Sequence, residues 1–139
     1  MRDKRAVLIT SVANDLPTFV SIYTSMKTWQ KWLKDPANKS DTARDDYMRP
    51  RDEVSKAYFE LAKMYLQARK PESILADVEV FFDSPEVRSL VKKEQDALDA
   101  IHDAETRADV AKRADEQDKV GAALLKAMAI EIRQPLHGE

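Results

Sequence analysis

Residues 19–33 read FVSIYTSMKTWQKWL, and the spacing of their apolar side chains decides the fold class. Large apolar residues recur here every three to four positions, and lysine or glutamine occupies several positions between them. The residues of this stripe are Phe19, Ile22, Tyr23, Met26, Trp29 and Leu33. Such a period places them on one face of an α-helix, which has to be buried against other elements. The stretch therefore predicts an amphipathic helix inside a helical bundle.

Apolar stripes of the same period run through residues 54–68, 74–82 and 120–132. Ser84 and Pro85 have the composition of an N-cap followed by a first helical turn. Pro17 leaves two alternatives, because it either starts a new helix or kinks a longer one. A helix likewise either bends or restarts near Gly121. The sequence predicts an all-α, up-and-down bundle of four to six helices, formed by one domain that spans residues 1–139.

Residues 85–118 contain no proline or glycine after Pro85, so they are predicted to form one long charged helix. Its apolar residues approximate a heptad repeat, as in a coiled coil, and Glu94 interrupts that repeat. Along this helix the seam residues change from valine, leucine and isoleucine to alanine. The alanine side chain is small, so this part of the seam buries little apolar area unless a partner packs on it. We therefore expect a second copy of the chain or a partner helix to be bound there. The predicted contact residues are Trp32, Ala97, Ile101, Ala104, Ala108 and Ala111.

Charge is unevenly distributed along the chain. Residues 1–71 carry 14 basic and 9 acidic side chains, whereas residues 72–118 carry 6 basic and 14 acidic side chains. Packing of the acidic segment beside the basic helices is one explanation. Self-association through opposite patches and binding of an external charged partner are the other two, because such asymmetry steers association rather than folding.

The basic and aromatic segment 27–51 supports an alternative function. Its lysines, arginines and tryptophans are the residue types that bind nucleic acid through phosphate contacts and base stacking. The candidate residues are Lys27, Lys31, Lys34, Arg44, Arg49 and Arg51. Four aspartates within the segment and a net charge of −2 for the whole chain argue against this alternative. Nucleic acid is therefore not the expected partner.

Residues suited to catalysis or to metal binding are sparse. The chain has no cysteine and two histidines, and its two glycines form no phosphate-binding loop. Asp99, His102 and Glu105 have a spacing that can hold a metal on a helix, but the seam assignment turns Asp99 and His102 outward. His137 follows Pro135 in the tail and supplies no second pair. We expect no catalytic residue, metal or cofactor, and hence no enzyme.

The longest apolar run near the start, residues 6–9, is far shorter than the ~20 residues that a membrane span requires. The expected location is the cytoplasm, and no membrane span is expected in this chain. Arg2, Lys4 and Arg5 leave open that the chain is the soluble cytoplasmic domain of a membrane-anchored protein. The leading expectation is a non-enzymatic interaction, adaptor or regulatory protein that acts through protein–protein contacts, as a homodimer.

Overall fold

A computed structural model describes the backbone of residues 2–34 and 45–134, and the side chains of residues 4–34 and 52–134. This part of the chain is helical and contains no strand. The helices are α1 (Arg2–Thr10), α2 (Leu16–Lys34), α3 (Asp45–Gln67), α4 (Pro71–Phe81), α5 (Pro85–Asp103) and α6 (Arg107–Arg133). The predicted all-α class and the predicted number of helices are confirmed.

A short π-helical segment, Ser11–Asp15, joins α1 and α2 into one continuous first helix. The N–H of Leu16 donates to the carbonyl of Ser11, five residues earlier. Pro17 has no N–H, and its ring would clash with the carbonyl four residues earlier in a regular α-helix. The wider π turn in front of Pro17 accommodates both constraints. Of the two alternatives at Pro17, the chain therefore forms the continuous helix.

Residues 85–118 do not form one helix, so that prediction was wrong. Helix α5 ends at Asp103, Ala104 has an extended backbone with ψ of 132°, and α6 begins at Arg107. The side chain of Thr106 accepts a hydrogen bond from the N–H of Asp109 at 3.0 Å and thereby caps α6. Helix α6 then continues through Gly121 without interruption. The two helices pack against each other as a hairpin.

The first helix runs antiparallel to α6 along nearly its whole length. Near its start, Arg5 forms an ion pair with Glu131 in the last turns of α6. Near its end, Nζ of Lys31 donates to the carbonyl of Glu105, just before α6 begins. The main core lies between this pair of helices, α4 and α5. Its buried residues are Leu8, Val12, Leu16, Ile74, Leu75, Val78, Phe82, Val87, Val91, Leu124, Ala127 and Met128.

Helix α3 packs mainly against α2, and aromatic rings form that contact. Tyr65 on α3 has its ring centroid 5.4 Å from that of Phe19 and 6.2 Å from that of Tyr23. The Lys70 ammonium lies 3.8 Å from the Tyr65 ring centroid, at cation–π distance. The opposite side of α3 faces away from the bundle.

The continuous helix Lys4–Lys34 changes one expectation about membranes. Its length and composition meet the criteria for a membrane-crossing helix, because residues 6–26 contain a single charged side chain, Asp15. The sequence expectation counted only the short run before Thr10. Core helices of soluble proteins also meet these criteria, and 39% of the most apolar window is buried inside this fold.

Candidate functional site

Glu94 on α5 is the most unusual side chain of the described core, because it is a fully buried acid. Nε2 of Gln117 on α6 donates a hydrogen bond to Oε1 of Glu94 at 2.6 Å, and Oε2 has no hydrogen-bond partner among the described residues. Removal of the carboxyl from water raises the pKa of Glu94 to about 7. The negative charge of Asp118 raises this pKa further, and the hydrogen bond from Gln117 partly opposes the rise.

Gly121 provides the space that this carboxyl occupies. A Cβ atom at position 121 would lie 3.2 Å from Oε2 of Glu94 and 3.4 Å from Nε2 of Gln117, and the first distance is tighter than ordinary van der Waals contact. Glycine inside a helix costs about 0.5–1 kcal/mol relative to alanine. The contact between α5 and α6 is therefore built around a buried acid at this level, at a cost in helix stability.

A cleft of about 180 Å³ adjoins the buried acid, between the π-helical segment and α6. Apolar side chains, Leu16 and Leu125 among them, form much of its wall. Gln117 and Gly121 line the cleft and also contact Glu94, whereas Glu94 itself does not line it. Local π-helical turns occur often at functional sites. We call Glu94, Gln117 and Gly121 the buried acid cluster.

A second buried polar cluster ties the two ends of the described chain together. Nη2 of Arg5 donates to Oε2 of Glu131 at 2.8 Å, and the Arg5 guanidinium lies 5.0 Å from the Phe82 ring centroid. The Glu131 carboxylate also accepts from the N–H groups of Asp83 at 3.0 Å and Ser84 at 2.7 Å. Glu131 thereby holds the turn between α4 and α5 as well as α1. This cluster stabilises the fold.

The end of α5 is capped by side chains from α2. Nζ of Lys27 donates to the carbonyl of His102 at 2.8 Å, and Nζ of Lys31 donates to that of Glu105. The Tyr23 hydroxyl lies 2.7 Å from Nδ1 of His102. Burial raises the pKa of Tyr23 and lowers the pKa of Lys27. Lys27 thereby compensates an unpaired carbonyl at the C-terminus of α5, and Lys31 compensates a carbonyl in the turn that follows.

Two of the six predicted nucleic-acid residues, Lys27 and Lys31, are therefore engaged within the fold. Lys34 is exposed at the end of α2. Arg44 and the side chains of Arg49 and Arg51 lie outside the described residues. Lys27, Lys31 and Lys34 lie together along α2, where burial and then the charges of Lys31 and Lys34 lower the pKa of Lys27, and nucleic-acid binding by this segment stays a prediction.

The residues predicted to form a partner-binding seam do not share one surface. Ile101 and Ala104 are buried inside the chain, and Ala97 is half-buried. Ala108 and Ala111 are exposed, but they belong to α6 rather than to α5. The prediction of a single seam was wrong because the helix on which it was drawn ends at Asp103. Trp32, the sixth predicted residue, is half-buried on α2.

Asp99, His102 and Glu105 have a spacing that can hold a metal on one helix, but α5 ends at Asp103, so Glu105 lies outside that helix. Within the described residues, no group of three or more histidine, cysteine, aspartate or glutamate side chains is arranged to hold a metal ion. Asp99 and Glu105 are exposed, and His102 contacts Tyr23. His137 lies outside the described residues.

Helix α3 presents two of the three most exposed large apolar side chains among the described residues, and the third is Val80 on α4. Leu66 is 78% exposed and Phe59 is 62% exposed. These two residues are seven positions apart and therefore share a face. Lys63 lies between them, with its ammonium 5.1 Å from the Phe59 ring centroid. We call Phe59, Lys63 and Leu66 the α3 outer face.

Comparison with known proteins gives no relative for this chain. No family model matches the sequence, and neither a curated protein nor a solved structure shows significant similarity to it.

Proposed function

We propose that this chain is a non-catalytic helical interaction protein that binds a second copy of itself through the α3 outer face. The observation that carries the proposal is the exposure of Phe59 and Leu66 on a helix whose other side is packed on α2. Burying a side chain such as Phe or Leu stabilises a structure by about 1.5–3 kcal/mol. Phe59 and Leu66 do not gain this stabilisation in the monomer, where they are exposed, but they would gain it on association with a second copy.

A second copy is the occupant that suits the arrangement of these residues. In an antiparallel pair of α3 helices related by a two-fold axis, Phe59 of one copy lies opposite Leu66 of its partner, and the reverse contact forms at once. The apolar pair is self-complementary, as a two-fold dimer interface requires, whereas the two Lys63 ammonium groups near the axis oppose association and weaken it. Helix α3 has 23 residues, so it is roughly 35 Å long and offers a few hundred Å² per copy. That area lies at the low end of specific protein interfaces, so we expect a weak and transient dimer.

The sequence supports the non-catalytic part of the proposal, because it contains no nucleophile motif or phosphate-binding loop. A homodimer and a cytoplasmic location remain predictions of the sequence.

Sedimentation velocity over a wide concentration range tests this proposal. The wild-type mass should increase with concentration, whereas the Phe59→Ser/Leu66→Ser variant should remain monomeric with unchanged helical circular dichroism. Val80→Ser is the matched control, because Val80 is a 69% exposed apolar residue on α4 and its loss should leave assembly unchanged.

The Ala108→Asp/Ala111→Asp variant tests the alternative that the dimer interface lies on the exposed alanine face of α6. If this variant abolishes assembly and Phe59→Ser/Leu66→Ser does not, the interface lies on α6 and the proposed α3 contact is wrong. A wild-type chain that stays monomeric at the highest concentration overturns self-association altogether.

A second candidate function, attachment to a membrane, has one observation in its favour. The helix Lys4–Lys34 is long and apolar enough to cross a bilayer, although burial within the bundle competes with that use. Flotation with phospholipid vesicles tests this candidate, and a chain that remains in the dense fraction rejects it. The buried Arg5–Glu131 ion pair favours the packed arrangement of this helix.

A further inference from the structure

We propose that the buried acid cluster is a proton-dependent latch between α5 and α6, closed while the Glu94 carboxyl carries a proton and loosened when it ionises. The latch acts on the helical hairpin rather than on α3, so it is independent of the proposed dimer contact.

The hydrogen-bonding pattern of Glu94 favours its neutral form. Oε1 accepts one hydrogen bond from Gln117, and Oε2 receives none. A buried carboxylate is stable when several donors or a cation surround it, whereas a protonated carboxyl requires far less compensation. The proton therefore resides on Oε2, the oxygen that faces Gly121.

The charges around Glu94 act in the same direction. Asp118 on α6 opposes ionisation, and no cation is among the groups that perturb the Glu94 carboxyl. The other charged side chains near this level of α5, α6, α4 and the π-helical segment are exposed or paired elsewhere. They include Lys92, Lys93, Asp96, Glu116, Lys119, Glu72, Glu79 and Asp15, together with Asp77, which pairs with Arg69, and Arg113, which donates to the carbonyl of Ala100 on α5. Ionisation of Glu94 thus places an uncompensated charge between two helices.

The pH range of the latch follows from the two states of Glu94. In the unfolded chain the carboxyl has its ordinary pKa of 4.5, and in the fold its pKa is about 7. Below pH 4.5 the carboxyl is protonated in both states, so its contribution to stability is complete. This contribution falls as pH rises from 4.5 to about 7, because the unfolded chain releases the proton first. The whole change corresponds to a factor on the order of 10² in the opening equilibrium.

Loosening of the latch also changes the adjacent cleft between the π-helical segment and α6. Gln117 and Gly121 belong to both structures, so separation of α5 from α6 alters the polar side of the cleft. The expected response to rising pH is local opening of the α5–α6 hairpin, which exposes Glu94 to water by way of this region.

Amide hydrogen exchange measured as protection factors between pH 5 and pH 8 tests the latch. In the wild-type chain, protection near Glu94 and Gln117 should fall by a factor on the order of 10² as pH rises, while α3 changes far less. Glu94→Gln keeps the size and hydrogen-bonding capacity of the side chain without the titration, so its protection should not depend on pH in this way. Glu116→Gln, at an exposed position beside Gln117, should behave as wild type.

A carbon-13 NMR titration of the Glu94 carboxyl in the wild-type chain gives an independent measurement that needs no variant. A pKa near 7 with pH-dependent protection confined to α5 and α6 supports the latch. A pKa near 4.5 overturns it. Loss of protection that is uniform across all helices also overturns it, because the acid then affects global stability rather than the hairpin.

Discussion

Replacement of Glu131 by glutamine should destabilise this protein strongly, because the Glu131 carboxylate joins three separated parts of the chain. It accepts hydrogen bonds from the Arg5 guanidinium at 2.8 Å and from the backbone N–H groups of Asp83 and Ser84 at 3.0 and 2.7 Å. Arg5 is only 2% exposed, and its Nε and Nη1 atoms have no partner in the fold. Loss of the counter-charge would leave the buried guanidinium beside the Phe82 ring without an anionic partner among the described residues.

The expected magnitude follows from these contacts. Removal of one partner from a buried ion pair costs about 3–5 kcal/mol. Glutamine keeps one carbonyl oxygen that can still accept from Ser84, so the cost of Glu131→Gln should be near the lower end, about 3 kcal/mol. Arg5→Met/Glu131→Gln removes both charges and keeps an apolar stem beside Phe82. This double variant should recover about 1–2 kcal/mol relative to Glu131→Gln alone.

Urea denaturation followed by far-UV circular dichroism measures these differences in the free energy of unfolding. Asp83→Asn is the control, because the Asp83–Arg88 pair is long at 3.7 Å and its side chains are 95% and 57% exposed. Its effect should stay below about 1 kcal/mol. The reasoning is refuted if Glu131→Gln costs less than this control. It is also refuted if the double variant is less stable than Glu131→Gln.

Two further substitutions test local features of α6 in the same urea assay. Thr106→Ala should cost about 1 kcal/mol, because it removes the side-chain cap on the N–H of Asp109, and Ser89→Ala at an exposed position inside α5 should cost much less. Gly121→Ala should not stabilise the wild-type chain, because the new Cβ would lie 3.2 Å from the Glu94 carboxyl. In a Glu94→Ala background that contact is absent, so Gly121→Ala should stabilise the chain by up to about 1 kcal/mol. Equal effects of Gly121→Ala in both backgrounds would contradict the proposed contact.

Helix boundaries could be predicted where residues with strong local preferences mark them. Ser84 accepts from the N–H of Val87 at 3.4 Å and Pro85 opens α5, as the sequence predicts. The boundary at Ala104–Thr106 was missed because it contains neither proline nor glycine. A threonine that caps a helix cannot be distinguished in the sequence from a threonine inside a helix. Pro17 shows the opposite limit. This proline lies inside a continuous helix, because the π-helical turn before it accommodates the proline ring and the missing N–H.

The buried acid could be predicted only in part. Glu94 was visible in the sequence as an interruption of an apolar repeat, yet its partners Gln117 and Gly121 lie on another helix and meet it only through the hairpin. Lys27 and Lys31 were equally ambiguous, because a lysine that caps a distant helix has the same sequence pattern as a solvated one. The periodicity of the sequence therefore identified the apolar face of each helix. The chain reversal near Ala104, which the sequence did not reveal, determines which of these faces pack against each other.

The antiparallel pairing of the first helix with α6 has a consequence for biosynthesis. The first helix leaves the ribosome early, with a nearly uncharged stretch from residue 6 to residue 26, and α6 is completed about a hundred residues later. At the usual rate of translation this interval is on the order of 5–20 s. Until α6 is complete, the side of this apolar segment that packs on α6 stays exposed in the nascent chain, and such exposed apolar surface promotes aggregation unless a chaperone covers it.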